Sequence, residues 1–164
     1  HNESFQTLNK IKGRFDVILC MFSSINYLTS LGDLDIFFQN VFSLLKKDGI
    51  FIFDFWNGEA VEKEFSKVRT KSAGNKSMKI ERKSETSIDT KTQEVFLKFY
   101  FDLFEEDSLI DSFVENHHLR YFFIQEMKSI LSKNNLNLLF SCPFMERESK
   151  IYGDTWNISF VAKK

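Results

Sequence analysis

A single proline, two cysteines and six glycines punctuate these 164 residues, and each scarcity excludes something. Two cysteines cannot form the disulfide framework of a small secreted scaffold. Cys20 lies in an apolar run and Cys142 directly precedes Pro143, so a reduced, cytoplasmic chain is expected. The glycines form no cluster. No apolar stretch approaches the ~20 residues of a membrane-spanning helix, and no charged-then-apolar signal segment is visible. With 22 basic and 23 acidic residues the net charge is −1, which gives no overall field for nucleic acid or an anionic membrane. There is no internal repeat and no low-complexity tract.

What is present is apolar and aromatic. Hydrophobic residues make up 43% and charged residues 27% of the chain, the balance of a globular domain rather than a disordered one. The length suits one domain with a substantial core. Phenylalanine alone occurs 20 times, so the core is expected to be built from rings.

Residues 1–14 read as a polar, irregular lead-in. Asp16 to Phe22 is a nearly unbroken apolar run, the pattern of a strand buried on both faces in a parallel sheet. Ser23 to Gly32 is predicted to be a loop, and Ser30 with Asp33 resembles a capping box. Leu34, Phe37, Phe38, Val41, Leu44 and Leu45 recur at helical spacing. Lys46 and Lys47 suit the negative end of that helix, and Asp48-Gly49 is read as its left-handed stop. Ile50 to Phe55 is a second buried strand. Two buried strands joined by a helix predict a parallel βαβ unit, with ligands beyond the carboxyl ends of its strands.

Val61 to Asn75 is charged and mixed, read as a short helix leading into a strand. Ser77–Ile88, Gln93–Phe104 and Leu109–Phe122 then predict an antiparallel meander with short turns. Apolar residues occupy both faces of its middle strand, which implies cover on both sides. Helical spacing returns at Ile124, Met127, Ile130 and Leu131, followed by strands over Leu136–Cys142 and Thr155–Ala162.

Several groups invite a chemical role. Asn26 and Tyr27 are placed to position an acceptor, or to shape the loop itself. Trp56 and Asn57 end the second strand, where they wall and orient a ligand or simply pack. Glu115 and His117 share a strand face, while His118 faces the other way. No third ligand of matching spacing accompanies them, so no metal site is expected. His117 suits proton transfer, or a structural pair with Glu115. Arg120 binds an acidic substrate group or pairs with a neighbouring carboxylate. Lys63, Lys67, Arg69, Lys71 and Lys76 are interspersed with Glu62 and Glu64, which argues against nucleic-acid binding.

The order of these segments carries a family resemblance. FDVILCMFSSINYL resembles the fourth strand and following loop of class I S-adenosylmethionine-dependent methyltransferases. LLKKDGIFIFDFWN resembles their helix, turn and fifth strand, and WNISFVAKK their final strand. Residues 115–122 resemble the E-x-H-x-x-R-Y-F segment of the branch that holds the amino-sugar N-methyltransferases. The resemblance spans nearly the whole chain. It implies the C-terminal portion of a Rossmann-like α/β sheet carrying an antiparallel β-meander insert. The implied partition is a core unit over 15–57, an insert or substrate cap over about 61–122, and a closing αββ unit over 123–164.

The implied cofactor is S-adenosyl-L-methionine, flanked by Cys20, Met21, Phe22, Ser23 and Ser24. Asn26, Tyr27, Trp56, Asn57, Tyr100 and Arg120 are the candidates for contacts to a small-molecule acceptor. Tyr27 and His117 are the candidates for a catalytic group. The family's D-x-G-x-G-x-G turn and its ribose-binding carboxylate have no counterpart here, so the chain alone is expected to be inactive or nearly so. Asn26-Tyr27 stands where the amino-sugar enzymes carry Gly-His, which argues against an amino-sugar acceptor. Self-association through surfaces left bare is a further expectation. A non-catalytic remnant binding a small ligand or partner, and an apolar-ligand binder built on the meander, are the alternative readings.

Overall fold

The computed structural model describes residues 4–75 and 77–164, apart from the side chain of Gln6; Lys76 lies outside the described residues. The chain divides into two compact units. One comprises the residues up to Glu64 together with Arg120–Lys164, and the other is Phe65–Leu119.

The first unit is a four-stranded sheet covered by helices. Strand β1 (Phe15–Cys20) leads through a 3-10 turn to helix α1 (Leu31–Leu44) and strand β2 (Leu45–Trp56). Helix α2 (Gly58–Glu64) follows, and the chain returns with α3 (Ile124–Lys133), β7 (Asn137–Pro143) and β8 (Asn157–Lys163). The sheet order is β1-β2-β8-β7. β1 and β2 are parallel, with Cys20 opposite Phe53. β8 is antiparallel to both β2 and β7. The parallel βαβ unit and the two closing strands are as the sequence pattern predicts.

Rings build the core. Alternation along β2 sends Phe51, Phe53 and Phe55 to one face, all fully buried. Phe51 and Phe53 stack at 4.7 Å. Phe38 of α1 meets Phe53 edge-on at 5.7 Å, and Phe160 of β8 meets Phe55 at 5.0 Å, both favoured aromatic geometries. α1 is started by Ser30, whose Oγ accepts the Asp33 amide at 3.0 Å and donates to Asp33 Oδ2 at 2.7 Å.

Three expectations are corrected. The helix ends at Leu44 rather than at Asp48-Gly49, and it is Asp48 that takes the left-handed φ of +63°. Gly49 serves close approach instead, since a Cβ there would sit 2.9 Å from the Lys46 carbonyl oxygen. Within the lead-in, of which residues 1–3 lie outside the described residues, Phe5–Lys10 forms a 3-10 helix, with the Phe5 ring 5.1 Å from Phe37. Two apolar side chains at i and i+3, Phe5 and Leu8, suffice to dock it on the core. Finally, among the described residues β1 is covered on one face only. Phe15, Val17 and Leu19 are 41%, 51% and 61% exposed, on an edge strand. Together with Phe5, Leu8 and Val41 they line an apolar bay. A continuous apolar run records the cover a strand suits, and the described residues supply it on one face.

The second unit is a four-stranded sheet in the order β3-β4-β5-β6. Its strands are β3 (Val68–Gly74), β4 (Met78–Asp89), β5 (Glu94–Glu105) and β6 (Ser108–Arg120). The charged stretch thus contributes a fourth strand beyond the three predicted clearly. One face carries Phe99, Phe101, Phe113 and His117, with Phe101 stacked on Phe113 at 4.8 Å. The other carries Phe96 stacked on His118 at 4.5 Å, beside the ion pairs Lys79–Glu81 and Lys83–Glu85.

Candidate functional site

In the first unit the two parallel strands end at Cys20 and Trp56, and beyond those ends the polar residues converge. The chain leaves β1 through Met21 and then sets Phe22 and Ser23, in succession, at φ +60° and +55°. Neither is glycine, and a left-handed L-residue costs roughly 1–2 kcal/mol. The support comes from Asp54, a lone carboxylate inside the apolar run of β2. Its Oδ2 accepts the Ser23 amide at 2.7 Å and the Ser23 hydroxyl at 2.9 Å. Asn157 Nδ2 of β8 donates to the same Ser23 oxygen at 3.3 Å. Asp54 thereby ties the β1 loop to β2, and Asn157 ties it to β8.

Asp54 is fully buried, and its second oxygen, Oδ1, has no partner among the described residues. Burial raises its carboxyl above the ordinary value, and the hydrogen bonds from Ser23 and the Phe22 amide act against that rise.

The 3-10 turn Ser24–Tyr27 comes next. Ser24 Oγ donates to the Met21 carbonyl at 2.7 Å. Ile25 and Asn26 point inward, while Tyr27 is half-exposed. Asn26 Oδ1 accepts the Trp56 amide at 3.4 Å, and its buried Nδ2 has no partner among the described residues. Trp56 meets Trp156 edge-on at 5.7 Å. Asn57 is spent on structure: its Nδ2 donates to the Thr155 carbonyl at 3.1 Å, and its Oδ1 accepts the Glu59 amide at the start of α2 at 3.3 Å. Gly58 allows close packing, since a Cβ there would lie 2.8 Å from the Phe123 ring.

Cys20, Met21, Phe22, Ser23, Ser24, Asn26, Tyr27, Trp56 and Asn57 therefore cluster at one end of one sheet. Cys20 carries an inert thiol, pushed up to about 12 by burial. Arg120 also belongs to this unit, where the structure shows the carboxylate pair: its Nη2 meets Glu126 Oε1 at 2.6 Å with the side chain nearly buried. Tyr100 and His117 belong to the second unit. Tyr100 donates its hydroxyl to Glu85 at 3.0 Å, and His117 Nε2 lies 3.4 Å from Glu115 Oε2. Among the described residues no cluster of three His, Cys, Asp or Glu is set to hold a metal, and no helix is long and apolar enough to cross a membrane.

Asp54, Asn157, Phe144 and Met145 are additions that the sequence pattern does not single out. Only Asp54 leaves a trace there, as a charge within an otherwise apolar strand. Phe144 and Met145 sit in the turn after β7, with the Phe144 ring 5.8 Å from that of Phe22.

No family model and no curated protein matches the sequence; solved structures do. An S-adenosylmethionine-dependent methyltransferase from Clostridium acetobutylicum superposes with a TM-score of 0.83 at 22% identity, over 98% of this chain and 62% of that one. The CcbJ methyltransferase from Streptomyces caelestis gives 0.75 at 16% identity, over 98% and 65%. CalS10, an amino pentose methyltransferase from Micromonospora echinaspora solved with the cofactor bound, gives 0.74 at 13%, over 98% and 62%. The chain spans 62–65% of the length of these structures. Its fold is that of the corresponding portion of an S-adenosylmethionine-dependent methyltransferase.

Proposed function

We propose that this chain is part of a methyltransferase that moves the methyl group of S-adenosylmethionine to a small-molecule acceptor. The observation that carries this is the β1 loop, held in a strained conformation by buried Asp54 at the carboxyl ends of two parallel strands, where open α/β sheets bind ligands. The residues present fit one side of the cofactor. Met21 and Phe22 offer apolar surface for a flat base, and the Cys20–Ser24 segment would lie along the methionine portion. The chain has no glycine cluster for the carboxypropyl group and no carboxylate assigned to the ribose. When bound, the cofactor supplies an electrophilic sulfonium methyl. The protein's part is orientation and exclusion of water, which are worth several kcal/mol of barrier. Trp56 walls the acceptor and Asn26 lies beneath it. Tyr27 on the 3-10 turn takes the acceptor's proton.

By itself the 164-residue chain binds the cofactor weakly and self-associates through the exposed edge of β1, whose free backbone groups and row of Phe15, Val17 and Leu19 invite pairing. The test is calorimetric titration of S-adenosylhomocysteine into the chain. Weak, millimolar binding is the expected result. Micromolar binding would show the cofactor site to be complete. No binding, with none gained in a longer form of the protein, would leave the non-catalytic remnant in its place.

A further inference from the structure

The second unit is one four-stranded sheet, and an apolar sheet face needs another layer to bury it. Its two faces place their charges differently. On the face of Phe96 and His118 the charges are neutralised where they stand. Lys79 pairs with Glu81 at 2.5 Å, Lys83 with Glu85 at 2.7 Å and His118 with Glu94 at 2.9 Å. That face suits water.

The face of Phe99, Phe101 and Phe113 is built otherwise. Residues directly opposed in an antiparallel ladder share a face. Lys71 opposes Arg82, Arg82 opposes Phe101, and Phe101 stacks on Phe113, which makes one row across all four strands. The next row begins Arg69, Ser84, Phe99. Alternation along β6 adds Asp111 and Glu115 to this face. Cations therefore line β3 and β4, rings fill the middle, and carboxylates line β6 at the far edge. Lys71 and Asp111 are exposed and form no ion pair among the described residues. Phe113 is 40% exposed. The Arg82 guanidinium lies 4.7 Å from the Phe99 ring, with its buried Nε lacking a hydrogen-bond partner among the described residues.

A face with opposite charges on opposite edges is complementary to itself. A half-turn about an axis parallel to the strands lays β6 of a second copy over β3 and its β3 over β6. The ring bands then meet in the middle. Such a contact is isologous and closes at two copies, and aligned sheets about 10 Å apart are the ordinary geometry of a β-sandwich. Arg69 and Lys71 would face the carboxylates of Asp111 and Glu115 twice over. A half-turn about an axis across the strands would instead set β3 on β3 and β6 on β6, opposing like charges. The shared rows follow the length of β3 (Val68–Gly74), about 23 Å by 19 Å, on the order of 400 Å² in projection. That is small beside the roughly 800 Å² per partner of a standard interface, so the association is reversible.

We propose that this face is a dimerisation surface whose partner is a second copy of the chain, with β3 of each copy over β6 of the other. The surface is separate from the β1 edge, and dimerisation through it does not depend on the methyl-transfer reading.

The experiment is sedimentation velocity on the Leu19→Lys chain, in which the β1 edge carries a charge. The expected result is a reversible monomer–dimer equilibrium. Lys71→Glu and Asp111→Lys, added separately, each set like charges opposite one another twice in a homodimer. Each should weaken the dimer roughly 10-fold and leave the melting temperature unchanged. An equimolar mixture of the two variants should regain the parental association, because the heterodimer holds one native and one reversed pair, both attractive. A chain that stays monomeric up to about 1 mM, the weak end of association, overturns the proposal. So does a dimer that neither variant weakens, or one that both weaken without recovery on mixing.

Discussion

Replacing Asp54 by asparagine and by alanine should separate the two things its carboxylate does. Asparagine keeps an oxygen to accept the Ser23 amide and hydroxyl, now at 2.7 and 2.9 Å. Alanine leaves both donors unpartnered in a buried pocket. Hydrogen bonds to a charged acceptor are worth roughly 1.5–3 kcal/mol each, and with the carboxylate's own desolvation relieved the alanine variant should lose about 2–4 kcal/mol at neutral pH. The asparagine variant should lie within about 1 kcal/mol of the parent.

The pH dependence gives the sharper test. Burial holds the native carboxyl above its ordinary value of 3.8, whereas the unfolded chain titrates near that value. The native state therefore binds more protons between the two. Stability present below pH 3.8 is lost as pH rises through the native value, by about 1.4 kcal/mol for each unit of separation. Asparagine does not titrate, so it should gain on the parent between pH 3.5 and 7, while every other group cancels in the difference. Urea denaturation of both proteins across that range measures the gap. A gap that is flat, or that moves in the parent's favour as pH rises, would refute the reasoning. It would mean that the hydrogen bonds from Ser23 and Phe22 outweigh burial.

Three further expectations are simpler. Phe53→Ala removes a ring packed against Phe51, Phe38 and Phe160 and should cost about 3–5 kcal/mol in chemical denaturation; a loss under 1 kcal/mol would show that the core is not packed as described. Cys20, its thiol pushed up to about 12, should resist iodoacetamide at pH 8 in the folded chain and react once the chain is unfolded. Rapid labelling of the native protein at this residue would contradict its burial. Leu19→Lys places a charge on the bare face of the β1 edge and should lower self-association in sedimentation velocity, and an unchanged distribution would place the contact elsewhere.

Periodicity alone determined most of the first unit. Apolar runs at Asp16–Phe22 and Ile50–Phe55, with a 3.6-residue stripe between them, admit few arrangements other than parallel strands and a crossover helix. Short turns between alternating segments likewise fixed a meander, and Ser30 announced its helix because a cap is a local signal three residues long. The loop residues Cys20–Ser24, Asn26 and Tyr27 and the strand-end pair Trp56 and Asn57 were legible for the same reason, since strand ends can be counted from the sequence.

The remainder depends on which distant groups meet. Asp54 reads only as a charge in an apolar strand until Ser23, 31 residues away, is seen to donate to it twice. The ion pair of Arg120 with Glu126 likewise shows only in the folded chain. Phe144 and Met145 carry no pattern of their own, and what distinguishes them is a turn that holds them exposed and strained beside Phe22. An apolar residue in the sequence promises burial on average. Whether it is buried, or left outside at the expense of backbone strain, is decided only when the strands beneath it are assembled.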